Sequence, residues 1–364
     1  QVYKESLSRG EIEKLVADTK HLQEYQEEPS SQEDLEKIPM LTRADISREI
    51  APIYNEEMKI ADIPTVFHEI ETNGIGYLDL MFDLSDVPEK DLPMVGLLQA
   101  VLGIIDTEHY EYGELFNEIN RHTGGIGTSL ELYTDVTKVK EKEFRATFEI
   151  KGKALDPKLD VLFAMMREIL MESKLGDEKR LKEILSMLKT RLQTSFLSAG
   201  HTTAVLRSLS YTSPIARFRD ITSGIGFYEV VKDLEENFEE RKELLIENLK
   251  KIAGRIFRKE NLMLSYTSAQ EGLAVLEKAV PQFADSLHTG EKESHGQCII
   301  HCKKRNEGFR TSSKVQYVAR TGNFIDGGAE YTGALQILKV ILSYDYLWQN
   351  VRVKGGAYGC MSGF

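Results

Sequence analysis

The sequence predicts an α+β protein, and three observations carry that reading. Apolar and polar residues alternate with period two from Pro64 to Leu155, interrupted by helical stretches. Beyond Pro157 the apolar residues recur every three or four positions as far as Ile256. "NLMLSYTS" at 261–268 then returns to alternation and closes the pattern with a strand. Strands, a long helical run and a final strand describe a mixed or antiparallel sheet packed with helices.

Taken in order, residues 10–28, "GEIEKLVADTKHLQEYQEE", read as a charged helix broken at Pro29, and Ser30 with Glu33 has the spacing of a capping box for a second. Residues 1–50 hold twelve acidic and seven basic side chains and few apolar ones, which suits a connecting helical hairpin over 1–50. "TVFHEIET" and "GIGYLDLMFDLS" read as strands paired across "NGIG". Helices follow near 91–105 and at 112–122, then strands in "GIGTSLELYTDV" and "EFRATFEIKGKAL". Asp177 is placed to cap a helix with the stripe Leu181, Ile184, Leu185, Leu188, Leu192 and Phe196, closed by Gly200. Asn237 and Glu240 open another, with Leu244, Leu245, Leu249, Ile252 and Ile256 on one face. This assigns one complete domain to 51–285. Residues 286–310 are polar and turn-rich, a linker, and 311–364 begin a second domain: a strand in "KVQYVARTG", helix in "ALQILKVILSYDYLWQNVRVK", and a strand start in "GGAYGCMSGF".

The composition narrows the function. The chain has 364 residues and is 41% hydrophobic, enough for more than one core. Its 58 acidic against 46 basic residues give a net charge of −12 with no Lys/Arg-rich block. That argues against nucleic acid and against an anionic membrane surface, and a cationic peptide fits the sign. No apolar run is long enough to span a bilayer. Three cysteines, Cys298, Cys302 and Cys360, argue against a disulfide framework and for a reducing compartment. The first residues have no signal-peptide core and no initiating Met, so the front end reads as cut or processed.

Self-contained catalytic motifs are missing. Eight histidines form neither His-Glu-x-x-His nor its inverse, and "HEIET" at His68 has Thr72 where a ligand is needed. "HGQCIIHC" gathers His295, Cys298, His301 and Cys302, but its spacing matches no zinc module, and an ordinary strand accounts for it. The "GIG" triplets at Gly74, Gly125 and Gly224 never extend to a nucleotide fingerprint, and no G-x-S-x-G occurs.

An internal repeat is present. "LLQAVL" at 97–102 followed by "LFNEINRHTGGIGTSLELY" parallels "LQILKVIL" at 335–342 followed by "LWQNVRVKGGAYGCMSGF". Leu115 and Phe116 match Leu347 and Trp348, and Gly124-Gly125 match Gly355-Gly356. In "RVKGGAYG", Lys354 sits at the negative end of a helix and Gly355 reads as its left-handed cap. Arg352 and Tyr358 flank that step, a cation and an O–H donor that suit an oxyanion or a peptide carbonyl.

These segments, with "EKLVADTKHLQEYQEEPSSQEDLEKIPMLTRADI" at the front, resemble the C-terminal half of the insulinase-type (inverzincin) metallopeptidases, the presequence protease and falcilysin branch. The resemblance implies a four-domain clamshell enclosing unstructured peptide substrates, with the hairpin 1–50 joining two halves. Residues 51–285 would be its noncatalytic third domain and 311–364 a fourth cut short at Phe364. It implies zinc held by the N-terminal half of the same protein and none by this chain, so the chain alone is expected to be inactive. Arg352 and Tyr358 would contact the substrate and its developing oxyanion. A bacterial cytoplasm is the expected compartment, with an organelle matrix as the other option. The second reading left open is a noncatalytic peptide-holding or partner-binding subunit of the same fold.

Overall fold

The structure is a computed structural model that describes residues 3, 6–28, 31–49, 52–135, 137–138, 143–289, 298–312 and 314–364. The chain divides into two units, Gln1–Ile53 and Tyr54–Phe364.

In the first unit, helix α1 (Arg9–Glu27) starts one residue before the expected helix because Ser8 caps it. The Ser8 hydroxyl accepts from the Glu11 amide at 3.3 Å, and the Glu11 carboxylate accepts from the Ser8 amide at 2.8 Å. Ser30 lies outside the described residues. The cap of α2 (Gln32–Glu36) is its neighbour Ser31, whose Oγ accepts from the Asp34 amide at 3.1 Å.

The second unit is built on a six-stranded sheet: β1 (Glu56–Ile60), β2 (Ile63–Glu69), β3 (Ile75–Asp83), β4 (Ile126–Tyr133), β5 (Arg145–Leu155) and β6 (Leu262–Ser268). Their order across the sheet is β1-β2-β6-β3-β5-β4. This corrects the hairpin expected across "NGIG". β6 lies between β2 and β3, parallel to the first and antiparallel to the second. Two strand spacings of about 4.8 Å therefore separate β2 from β3. Residues 70–74 bridge that gap; the Ile75 amide donates to the Thr72 carbonyl at 3.3 Å across Asn73 and Gly74, both at positive φ, but this turn leads into β3 without pairing it to β2.

The hairpin that does form joins β1 to β2 through Ala61 and Asp62, at φ 51° and 65°. A two-residue connection of matching twist requires positive φ at both positions, normally from Asn-Gly. Alanine there works against its Cβ.

Each strand turns one side to the core. Ile63 and Phe67, Leu78, Leu80 and Phe82, Phe148 and Ile150, and Leu262, Leu264 and Tyr266 are all buried on that face. Phe257 meets Phe82 and Phe148 edge-on at 5.3 and 5.2 Å, and Tyr266 stacks on Phe67 at 6.3 Å.

The helices are α3 (Leu92–Val101), α4 (Tyr112–His122), α5 (Leu159–Met171), α6 (Glu178–Ser198), α7 (Gly200–Leu209), α8 (Pro214–Ser223), α9 (Ile225–Glu236), α10 (Phe238–Ile256) and α11 (Gln270–Asp285), and all but α7 contribute buried apolar residues to the core. Asp177 caps α6 as expected, its carboxylate accepting from the Arg180 amide at 2.9 Å. The stripe from Leu181 to Leu192 is buried, with Phe196 partly so. On α10, Leu244 is 60% exposed, because a step of one residue rotates it about 100° off the stripe of Leu245, Leu249, Ile252 and Ile256. Gly96 lets α3 cross α8 closely, since a Cβ there would overlap the Thr222 carbonyl. Gly200 opens α7 rather than closing α6, and Ala199 caps α6.

Beyond residue 298 the expected strands at 314–322 and 357–364 do not form. A strand needs a neighbouring ladder for its backbone groups. The segment at 314–322 instead turns side chains onto α7: Tyr317 lies against Gly200, and the Thr321 and Ser208 hydroxyls are 2.7 Å apart. Helix α12 (Ala334–Ile341) runs into a π-helix, Leu342–Lys354.

Two stability outcomes follow. Leu264→Ala, at a fully buried site in a strand with neighbours on both sides, should cost about 3 kcal/mol in urea unfolding. Ala61→Asn should raise stability by about 1 kcal/mol, because Asn tolerates the left-handed region. A loss of stability in the second variant would refute the strained turn.

Candidate functional site

Arg352 and Tyr358 stand at the end of the π-helix. Its hydrogen bonds run to the fifth residue, so side chains four apart lie nearly above one another. The Arg352 guanidinium carbon accordingly lies 4.3 Å from the centre of the Trp348 ring, a cation–π contact. The chain leaves the helix through Gly355 at φ −83° and Gly356 at φ 71°. Gly356, not Gly355, thus takes the left-handed position. The Gly356 amide donates to the Arg352 carbonyl at 2.9 Å and the Ala357 amide to the Val351 carbonyl at 3.2 Å. Each bond reaches one residue further back than in an α-helical Schellman end, as a wider helix requires. The first copy of the repeat shares this choice, with Gly125 at φ 106°.

Tyr358 is 97% exposed, and no hydrogen bond among the described residues joins it to Arg352. The structure puts both donors at one end of one helix without bringing them to a single point. The stacking of Arg352 on Trp348 was missed in the sequence, though the four-residue spacing of the only tryptophan and an arginine signals it.

The "HGQCIIHC" stretch is not a strand over its described residues. His295 lies outside them. The Cys298 amide donates to the Ser85 carbonyl at 2.7 Å, and burial pushes its thiol up to about 11, which leaves it inert. The His301 ring is 80% exposed and lies 3.1 Å from Glu89. No group of three or more His, Cys, Asp or Glu side chains among the described residues is placed to hold a metal ion. No helix among them is long and apolar enough to cross a membrane.

A polar cluster that sequence reading passed over lies on the other face of the sheet. The register puts Asp79 of β3 opposite Lys151 of β5, and Glu149 of β5 opposite Ser129 of β4. Glu149 is fully buried and accepts from Thr147 at 2.6 Å and Tyr133 at 2.7 Å, with the Lys151 ammonium 2.7 Å away. Lys151 also lies 3.4 Å from Asp79 and 3.7 Å from Glu131. Burial and the neighbouring Glu149 charge push Asp79 up to about 7. Burial works against the Glu149 carboxylate too, but the bonds from Lys151, Thr147 and Tyr133 outweigh it and hold that group below its ordinary value. Asp79 thus keeps its proton through the acidic range and gives it up around neutrality, while Glu149 beside it is charged.

The sign of the resulting pH dependence follows from Asp79. Folded Asp79 keeps its proton where unfolded Asp79, near 3.8, has lost it, so its contribution to stability falls as pH rises from about 4 to about 7. Glu149 acts oppositely, its contribution being lost as pH drops below about 4.5. Asp79→Asn should therefore stabilise the protein more at about pH 8 than at about pH 5 in urea titrations. Equal effects at both would exclude the raised carboxyl.

A family model described as Peptidase M-16C associated matches residues 1–234, and one described as PreP C-terminal domain matches residues 306–364. Protein HypA of Clostridium perfringens is 37% identical over 363 residues, 99% of this chain and 37% of that protein. Presequence protease 1, chloroplastic/mitochondrial, of Arabidopsis thaliana is 26% identical over 98% of this chain and 33% of its own length. The mitochondrial presequence protease of Yarrowia lipolytica is 26% identical over 97% and 35%. The chain spans about a third of the length of these relatives. With a six-stranded sheet packed by helices and the first family model covering residues 1–234, this chain belongs to the insulinase-type peptidase family that the model describes.

Proposed function

We propose that this chain is the C-terminal half of a zinc-dependent endopeptidase that degrades short unstructured peptides, and that it supplies chamber wall and substrate contacts rather than the metal. The observation that carries the reading is that presequence proteases match it almost from end to end while extending well beyond it. In this reading residues 1–50 join the two halves, 51–285 form the third domain, 286–310 link it onward, and 311–364 open the fourth.

The residues present do not fit a zinc site. Helix α3, with "VGLLQAVLG" at 95–103, carries no ligand-type side chain, and the described residues offer no group of three ligands. Zinc would be bound by the N-terminal half.

What this chain supplies is donors. Arg352, pre-oriented on Trp348, offers a fixed cation, and the exposed Tyr358 hydroxyl offers a hydrogen bond to a peptide carbonyl. Both interactions strengthen as negative charge develops on that oxygen. The three cysteines and the bacterial and organellar relatives support a reducing compartment such as a bacterial cytoplasm.

In the full-length parent, Arg352→Ala and Tyr358→Phe should each lower kcat on an internally quenched peptide by about a hundredfold, roughly 3 kcal/mol. Unchanged turnover would remove both residues from the site. The 364-residue chain alone should leave the same peptide intact, and zinc-dependent cleavage by it would overturn the division of labour. An intact parent without peptidase activity would favour the noncatalytic, peptide-holding subunit.

A further inference from the structure

Residues 298–321, residue 313 apart, have no regular structure, yet they are tied to the α+β unit at both ends and in the middle. The Cys298 amide bonds the Ser85 carbonyl, and the His301 amide and ring nitrogen meet one Glu89 oxygen at 3.0 and 3.1 Å. Further along, Glu307 receives two bonds from the Arg207 guanidinium, at 2.8 and 3.0 Å, and one from the Tyr211 hydroxyl. Tyr317 then lies flat enough on α7 that a Cβ on Gly200 would overlap its ring, and Thr321 meets Ser208.

The charged attachments form one connected path that leaves the segment at His301 and returns to it at Glu307. Glu89 pairs with Arg217 at 3.4 Å, Arg217 with Asp220 at 3.3 Å, Asp220 with Arg207 at 2.7 Å, and Arg207 with Glu307. Asp220 is fully buried and Arg207 is 4% exposed. Removing one member of such a buried path strands the others, so the segment is held in one register. Glu307 is held down to about 2, chiefly by Arg207 and then Tyr211 and Arg305, so it stays charged through the neutral range.

Past Thr321 the same segment leads into α12 and the π-helix that carries Arg352. The contacts of that arm include ones to itself: Phe324 packs edge-on against Phe364 at 6.3 Å, and the Ser343 and Ser362 hydroxyls are 2.9 Å apart. We propose that residues 298–321 act as a buckled strap whose fastenings on α7 set the position of the arm, making Arg207, Asp220, Glu307 and Tyr317 positioning residues for Arg352 and Tyr358. The inference rests on the reading of those two as substrate contacts. A donor displaced by about 1 Å can lose up to a hundredfold in rate, so a small slip of the strap is enough to matter.

The test uses two strap variants that fail for unrelated reasons. Glu307→Gln removes the charge while keeping the shape, and Gly200→Ala puts a methyl group where Tyr317 lies. Tyr317→Ala stands in if Gly200→Ala does not fold. In the full-length parent each should lower kcat on a quenched peptide about tenfold or more while KM moves less than about threefold. Glu307→Asp should recover part of the loss. In an Arg352→Ala/Tyr358→Phe background the strap substitutions should cost little further, because they act through those two residues. The same factor in both backgrounds would mark the strap as merely structural and overturn the proposal. If Arg352→Ala itself left kcat unchanged, the underlying reading would fail instead. The strap is then judged on the 364-residue chain by time-resolved anisotropy of Trp348, its only tryptophan. Glu307→Gln and Gly200→Ala should add a fast component, and unchanged anisotropy would overturn the positioning role.

Discussion

The pairing of β6 between β2 and β3 is the constraint on which the α+β unit rests. Until residues 262–268 arrive, β1 with β2 and β3 with β5 are separate pieces of sheet with unpaired edges facing each other. The helices from α5 to α10 are the path by which the chain returns to fill that gap, and all but α7 add apolar residues to the core that the completed sheet closes. Leu264 and Tyr266 sit at the middle of the core because their strand has a neighbour on both sides. Such a pairing links residues nearly two hundred positions apart, so the loop closure it requires is among the slow, non-local events of folding.

That register also decides the electrostatics. Asp79 and Glu149 are on different strands and become neighbours only because β3 pairs with β5. Asp220 gathers Arg207 and Arg217 from helix and helix end. The burial of these groups separates them from the many ion pairs at exposed positions, such as Arg9 with Glu13 on α1, where both side chains are more than half exposed. The exposed kind is worth a fraction of a kcal/mol, whereas disrupting one partner of the buried kind costs several. The charged surface of α1 therefore says little about stability, and the Arg207 path says a good deal.

The arm from α12 to Gly356 has a different physics. Ile337, Val340, Ile341, Tyr344 and Val353 are exposed along it, as are Trp348 and Tyr358. Its order comes from local terms: the Trp348–Arg352 stack, the left-handed Gly356, and the two backbone bonds that close the helix end. These fix the direction in which the chain leaves the helix, while the strap ties the segment just before the arm to α7.

Much of the fold was legible in the sequence. Periodicity placed α6 with its stripe, Asp177 as its cap, and β3 to β6 with ends up to three residues too long, because these depend on neighbours a few positions away. The glycine pair was legible too, though which glycine turns left-handed was not, since that depends on where a wide helix stops. The family likeness and the candidacy of Arg352 and Tyr358 also came from sequence alone. Strand order, the raised Asp79 carboxyl beside Glu149, the Arg207 path and the coil at 314–322 did not, because each needs partners brought together from distant positions. A sequence records which side chains alternate and what caps them, and only the closed sheet decides which of them meet.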